Sequence, residues 1–155
     1  MPPGADLVYF DASIFIAWFN DEPGRADTIE EILTASFEGK LRVTTSVVSL
    51  TEVAYFRTGA SGLDQEQLDQ QINALLLNDR LIGLIPFDER IALRARQLVR
   101  ARSGGRQGLT VLDAIHLASA DVAASDFFAT YDRDFAQASD EVSMRIGEPT
   151  PEISG

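Results

Sequence analysis

Short apolar runs alternate along this chain with segments whose apolar residues recur every three or four positions. The run Leu7–Phe10 is typical of a buried strand, and Ala26–Phe37 has the spacing of an amphipathic helix that stops at Gly39. Further strands are predicted at 42–45, 81–86 and 126–131, with a last apolar patch at 142–146. Further helices are predicted at 14–19, from about 46 to 56, at 65–77, 88–102, 110–124 and 135–138, with breaks at 59–62 and 103–108.

Strands that alternate with helices predict an α/β fold of three layers. Parallel strands need helical crossovers, so we expect a mostly parallel central sheet of about five strands flanked by helices. The length of 155 residues, 45% of them hydrophobic, suits a single domain. Its core is expected at about 7–146, with 1–6 and 147–155 as loose tails.

Four carboxylates lie just after, or inside, apolar runs that a folded core would bury. Asp11 and Asp132 follow predicted strands, at the edge where parallel sheets bind ligands. Glu52 is expected near the middle of a helix that begins near Ser46. Asp113 lies in a helix that is apolar nearly all round, where an unpaired charge is costly.

Each acid also has a purely structural interpretation. Asp11 and Asp132 could cap the helices that follow them. Glu52 ends the capping-box pattern S-L-T-E, although a helix that starts near Ser46 would place it beyond the first turn.

The third acid and the histidine that follows it have such interpretations too. Asp113 could cap its helix, but Thr110 is better placed to do so. His116, one turn later, is interpreted as a satisfied core group or a group that contacts a ligand, and not as a direct metal ligand.

Composition limits how these acids can be neutralised. Lys40 is the only lysine and His116 the only histidine, and cysteine is absent, which excludes thiolate chemistry and cysteine zinc sites. A hard divalent cation is the natural partner of several acids. The net charge of −11 argues against a nucleic-acid partner, but bound metal would change the local balance.

Nothing in the hydropathy pattern predicts a membrane protein. No apolar stretch approaches the ~20 residues that a span needs. The initial MPPGAD has neither the basic segment nor the apolar run of a secretory signal. We therefore expect a cytoplasmic chain.

Four segments, in this order, resemble the PIN-domain family of metal-dependent nucleases, and in particular the VapC toxins of bacterial toxin-antitoxin pairs. They are YFDASIFIAWF, TSVVSLTEVAYF, LTVLDAIHLASA and ATYDRDF, which contain the four acids. The resemblance covers about 7–146.

The resemblance implies a role for each acid. Asp11 and Asp113 match the principal ligands of a Mg²⁺ or Mn²⁺ ion, while Glu52 and Asp132 complete the acidic pocket. Asp134 is a candidate fifth acid, for which solvent exposure is the favoured account.

Neighbouring positions follow the family pattern with one departure. Ser13 and Thr130 match hydroxyls that orient the acids or bind substrate phosphate. Tyr131 stands where relatives often carry a basic or small polar residue, which bears on substrate contact.

The resemblance also implies an activity and partners. The activity is internal cleavage of RNA by water that the cation activates, leaving a 5′-phosphate and a 3′-hydroxyl. The partners are a cognate VapB-type antitoxin, whose C-terminal segment would cover the acidic pocket, and a second copy of the chain, so that a homodimer joins the antitoxin in a hetero-oligomer.

Two surfaces could serve those partners. Arg100, Arg102 and Arg106 are candidates for steering RNA toward the acids, with a solvated helix face as the alternative. Trp18 and Phe19 belong to an unusually apolar helix that could form a groove for a hydrophobic partner segment, or could simply pack in the core.

Other functions stay open on the sequence alone. A PIN-like domain could be catalytically silent and only bind a partner. A receiver-like signalling module would want adjacent early acids and a late lysine, whereas Asp11 stands alone and Lys40 comes early. An aspartyl phosphatase would want D-x-D where this chain has Asp-Ala-Ser.

Overall fold

Five parallel strands form the centre of the molecule in the computed structural model, which describes residues 6–53, 64–102 and 109–153. Their order across the sheet is β3-β2-β1-β4-β5, and every neighbouring pair is parallel. The strands are β1 Leu7–Phe10, β2 Arg42–Ser46, β3 Ile82–Ile85, β4 Phe127–Ala129 and β5 Arg145–Gly147.

Helices connect the strands, as parallel pairing requires. They are α1 Ala12–Phe19, α2 Ala26–Phe37, α3 Ser49–Glu52, α4 Gln65–Leu76, α5 Glu89–Arg102 and α6 Val111–Val122, with 3₁₀ helices at Arg133–Ala138 and Pro151–Ile153. In the described ranges, no helix is long and apolar enough to cross a membrane.

The sheet separates two hydrophobic layers. Val8 and Phe10 of β1 point into a layer built with α1, α2 and α4, whereas Tyr9 between them points into a layer built with α5 and α6. Successive side chains of a strand face opposite sides, so β1 contributes to both layers. Asp11, the next residue, leaves the strand at its carboxyl end.

The strand order reverses at the centre of the sheet. The chain runs outward from β1 through β2 to β3, then returns to place β4 on the other side of β1. Phe10 pairs with Ala129, so the residues that leave β1 and β4 emerge side by side. This is the switch point where open parallel sheets place their ligands.

The predicted three-layer α/β fold with about five strands is confirmed, and the sheet is parallel throughout. Gly39 follows α2 with a φ of 78°, a conformation that glycine adopts readily, and therefore ends that helix as predicted. The patch at 142–146 yields β5, which extends to Gly147, the first residue of the predicted tail. Beyond it, the 3₁₀ helix Pro151–Ile153 contacts α2.

The predicted start of the Glu52 helix was wrong. Ser46 still belongs to β2, where it pairs with Ile85 of β3, and α3 begins at Ser49. Glu52 is therefore in the first turn and not in the middle of a helix. The predicted end near residue 56 and the breaks at 59–62 and 103–108 lie outside the described residues.

Candidate active site

Asp11 is a buried carboxylate at the carboxyl end of the central strand. Its side chain is 3% exposed. The hydroxyl of Ser13 donates to Oδ1 at 2.5 Å, and the hydroxyl of Thr130 donates to Oδ2 at 2.6 Å. The backbone N–H of Ser13 also donates to Oδ1, at 3.1 Å, so Asp11 caps α1. The interpretation of Asp11 as a helix cap is correct. The carboxylate still lies at the carboxyl end of the central strand.

Burial dominates the electrostatics of Asp11. Loss of solvent raises the pKa of this carboxyl from 3.8 to about 6, and the hydrogen bonds from Ser13 and Thr130 offset only part of that effect. Neutral hydroxyls orient a carboxylate but do not neutralise it. A cation at this position would remove the cost of the buried charge.

Thr130 joins Asp11 to Asp132. Its hydroxyl donates to Asp11 and accepts from the backbone N–H of Asp132 at 2.9 Å. Ser13 mirrors it, since its hydroxyl accepts from the N–H of Tyr131 at 3.0 Å. Both hydroxyls donate their protons to Asp11. This supports the interpretation that Ser13 and Thr130 orient the Asp11 carboxylate.

Asp132 begins the 3₁₀ helix Arg133–Ala138. Its Oδ1 accepts from the N–H of Asp134 at 2.9 Å, so Asp132 is the N-cap that the alternative interpretation expected. Asp132 and Asp134 are both exposed, in agreement with the favoured account of Asp134. The neighbouring Tyr131 ring lies under the guanidinium of Arg25, 4.1 Å from its carbon to the ring centroid.

Asp113 lies in the first turn of α6, and Thr110 is the residue that caps it. The Thr110 hydroxyl accepts from the N–H of Asp113 at 3.1 Å. Burial raises the pKa of Asp113, and the negative charges of Asp132 and Glu52 raise it further. Three of the four predicted acids therefore affect one another electrostatically.

Glu52 differs from the other acids in its partner, which is a buried histidine. One carboxylate oxygen, Oε1, is hydrogen-bonded to Nε2 of His116. The other ring nitrogen, Nδ1, lies 2.6 Å from the hydroxyl of Tyr9. Both ring nitrogens of His116 are thus engaged.

Tyr9 was missed by the sequence reasoning. Its ring is fully buried, stacked on Phe128 with centroids 5.1 Å apart. Its hydroxyl accepts from the N–H of Ser46 at 3.0 Å. The available signal was the single polar-tipped side chain in the apolar run of β1, since a buried tyrosine hydroxyl needs partners.

The four predicted acids offer the type of ligand atom that a hard divalent cation prefers. Carboxylate oxygens are the ligands that Mg²⁺ and Mn²⁺ prefer, and Asp11 is a buried carboxylate with a raised pKa. Among the residues described, no three His, Asp or Glu side chains already form a closed metal site. Glu52 is hydrogen-bonded to His116, and the negative charge of Asp132 raises the pKa of Asp113.

The arginines predicted to steer RNA are only partly placed. Arg100 is exposed near the end of α5, Arg102 is the last residue of that helix, and Arg106 lies outside the described residues. Arg94, on the same helix, is held in place by Asp121 at 2.8 Å and the carbonyl of Glu141 at 2.6 Å. Arg94 is therefore a structural residue.

The comparison that decides the family is with a model of the PIN domain, which matches residues 8–141. The chain belongs to the PIN-domain family. The four acids and the strand ends that carry two of them all fall within the matched range. The PIN-domain resemblance of the sequence is therefore confirmed.

Solved structures share this PIN fold at low sequence identity. VapBC2 from Rickettsia felis, bound to a DNA fragment from their promoter, aligns with a TM-score of 0.67 and 14% identity over 90% of this chain and 96% of that chain. FitAcB from Neisseria gonorrhoeae aligns at 0.62 and 21%, over 92% and 97%.

A third similar structure is VapC20 of Mycobacterium tuberculosis, described as a sarcin-ricin loop cleaving toxin. It aligns with a TM-score of 0.59 and 16% identity, over 85% of this chain and 95% of that chain. Among curated protein sequences, none matches this chain.

Proposed function

We propose that this PIN-domain protein is a metal-dependent endoribonuclease and the toxin of a toxin-antitoxin pair. The observation that carries the proposal is the buried Asp11 carboxylate beside three further acids at the switch point of the sheet. Among the described residues, the Lys and Arg side chains that form ion pairs do so with other acids and do not neutralise Asp11. They are Arg25 with Glu22, Lys40 with Glu38, Arg90 with Asp88 and Arg94 with Asp121.

Asp11 and Asp113 would hold the cation, Mg²⁺ or Mn²⁺, and Glu52 and Asp132 would complete the pocket. When bound, the ion would supply an activated water and stabilise charge on the phosphodiester in the transition state. Ser13 and Thr130 hold both oxygens of Asp11 in fixed directions, which favours a defined ligand geometry. This chemistry needs no protein nucleophile.

RNA as substrate is supported by the description of VapC20 as a sarcin-ricin loop cleaving toxin. RNA must approach a chain of net charge −11, so local basic groups are required. Arg100, Arg102 and Arg106 are the proposed contacts. Changing all three to Ala should weaken cleavage and its dependence on salt, and unchanged cleavage with an unchanged salt slope would refute this role.

A VapB-type antitoxin is the proposed protein partner, and the chain is proposed to work as a homodimer within that complex. VapBC2 and FitAB were each solved with DNA. A chain as acidic as this one is poorly suited to bind DNA, so a basic partner would have to supply that contact.

An apolar groove offers a surface for the antitoxin. It has a volume of about 630 Å³ and is lined by side chains of α1, α2 and α4 together with the residue before β3. The large apolar lining residues are Trp18, Phe19, Leu33, Phe37, Leu75 and Leu81. The groove includes Trp18 and Phe19, where a partner groove was one of two interpretations, and an amphipathic antitoxin helix is its proposed occupant.

This groove can be tested at an exposed position. Phe37 is 45% exposed, so Phe37→Ser should fold and should weaken binding of the antitoxin encoded beside the toxin by about 10-fold or more. Phe87→Ser is the matched control, since Phe87 is 47% exposed and lies outside the groove. Equal affinities of the two variants would contradict the assignment.

The nuclease itself is tested with purified protein and a structured RNA. Cleavage should require Mg²⁺ or Mn²⁺, stop with a chelator, and leave 5′-phosphate ends. Asp11→Asn should abolish it, while Asp140→Asn, at an exposed acid that is not one of the four, should not. Cleavage that persists in the Asp11→Asn protein would refute the proposal.

A further inference from the structure

A buried chain of hydrogen bonds connects the backbone of β2 to Glu52. The N–H of Ser46 donates to the hydroxyl of Tyr9 at 3.0 Å, and that hydroxyl lies 2.6 Å from Nδ1 of His116. Nε2 of His116 then contacts Oε1 of Glu52. Tyr9 is 0% exposed and His116 is 2% exposed, so water does not compete for these contacts.

The direction of the chain follows from what each group can donate. An ionised Glu52 can only accept, so Nε2 carries the proton of that hydrogen bond. The Tyr9 hydroxyl accepts from Ser46 and keeps one proton, which it gives to Nδ1 when the imidazole is neutral. In either charge state of the ring, His116 presents an N–H to Glu52.

Glu52 needs such support for two reasons. A free glutamate loses rotamer freedom when it is fixed in one conformation. The described helix that carries it, α3, is only four residues long. A rigid imidazole set into the core is a more definite anchor than that single turn.

We propose that His116 and Tyr9 are positioning residues that fix the Glu52 carboxylate beside Asp113, so that the acidic pocket is preorganised for its cation. The role toward the cation rests on the proposed function, whereas the hydrogen-bond chain itself does not. Residues that orient ligands in this way typically contribute 10–100-fold to metal affinity. The competing account is that His116 only fills the core.

Mn²⁺ binding, measured by calorimetry on the full chain, separates these accounts. His116→Leu keeps the volume but cannot donate, and should weaken Mn²⁺ binding by about 10–100-fold. His116→Gln can donate to Glu52 and should stay within about fivefold of the wild type. Equal losses in the two variants, or no loss in either, would overturn the proposal.

Two further variants make the test specific. Ser119→Ala is the control, because Ser119 is fully buried in the same helix and its hydroxyl donates to the carbonyl of Ile115, which belongs to the same helix. It should bind Mn²⁺ like the wild type. In a Glu52→Gln background, His116→Leu should cause no further loss, since its effect acts through Glu52. A full additional loss there would show that His116 acts elsewhere.

A metal-free readout distinguishes failure of this proposal from failure of the proposed function. His116 is the only histidine, so ¹⁵N labelling of tag-free protein reports one imidazole. Its spectrum should show a proton on Nε2, and Glu52→Gln and Tyr9→Phe should each shift it. If the wild type binds no Mn²⁺, the proposed function fails while this result stands. An imidazole without a proton on Nε2, or one that neither variant perturbs, refutes the positioning chain.

Discussion

Two acids of the candidate active site are held in different ways. Asp11 is surrounded by hydroxyls, which donate hydrogen bonds but carry no charge. Glu52 contacts His116, a group that can share a proton with it. The first arrangement orients a buried carboxylate without neutralising it, whereas the second gives the carboxylate a hydrogen-bonded histidine from the core. The difference supports the proposal that Asp11 binds the metal directly and that Glu52 has a supporting position.

The largest expected effect is on catalysis. Asp11→Asn keeps the shape of the side chain but removes its charge, and should lower the RNA cleavage rate by about 10³-fold or more. Glu52→Gln should cost less, about 10–100-fold, because Glu52 supports the pocket. Single-turnover rates at saturating Mg²⁺ measure both. Equal losses would remove the proposed distinction between the two acids.

The pH dependence of stability should reflect the buried charge of Asp11. The folded protein holds this proton more tightly than the unfolded chain, since burial raises the pKa from 3.8 to about 6. The contribution to stability is therefore fully present below pH 3.8 and is lost as the pH rises through about 6. The full difference corresponds to about 3 kcal/mol of unfolding free energy.

Urea unfolding of the metal-free protein from pH 4 to pH 8 checks this sign. Asp11→Asn should remove the fall and be the more stable protein at pH 8. Parallel pH profiles for wild type and variant would mean that Asp11 is not desolvated as described.

Divalent cations should stabilise the folded protein. At 100 times the dissociation constant, one bound ion contributes about 2.7 kcal/mol, seen as a higher melting temperature. Asp113→Asn should remove most of this increase, because Asp113 is a proposed ligand. An increase of equal size in the Asp113→Asn protein would place the ion elsewhere.

The smallest effect is expected at Thr130, which supports the Asp11 side of the comparison. Thr130→Val removes the donor to Asp11 and leaves the N–H of Asp132 without this acceptor. The expected loss of unfolding free energy is about 1–3 kcal/mol. Thr130→Ser restores the hydroxyl and should recover most of it in denaturant unfolding. Equal stability of the Val and Ser variants would argue against the bridging role.

Local patterns predicted one side of this comparison better than the other. Asp11 follows an apolar strand directly. Its place at the carboxyl end of the sheet could therefore be derived from hydrophobic periodicity and from where open parallel sheets bind their ligands. Thr110 likewise predicts the start of α6, because threonine is a favoured N-cap residue. These signals lie within a few residues of the site they describe.

The Glu52 side depends on contacts between distant parts of the chain. Tyr9 and His116 are 107 positions apart in sequence, and their pairing follows only from how β1 packs against α6. The start of α3 was misplaced because β2 continues through Ser46, where the sheet and the Tyr9 hydroxyl hold the backbone extended. Local sequence propensities cannot predict such contacts between distant parts of the chain.

The most direct test of the nuclease assignment is to express the wild-type chain and its Asp113→Asn variant in bacterial cells and map the new RNA 5′ ends in mRNA, tRNA and ribosomal RNA. The wild type should produce discrete new ends with 5′-phosphates at a limited set of sites, and Asp113→Asn should produce none of them. Identical maps from the two proteins would contradict the account.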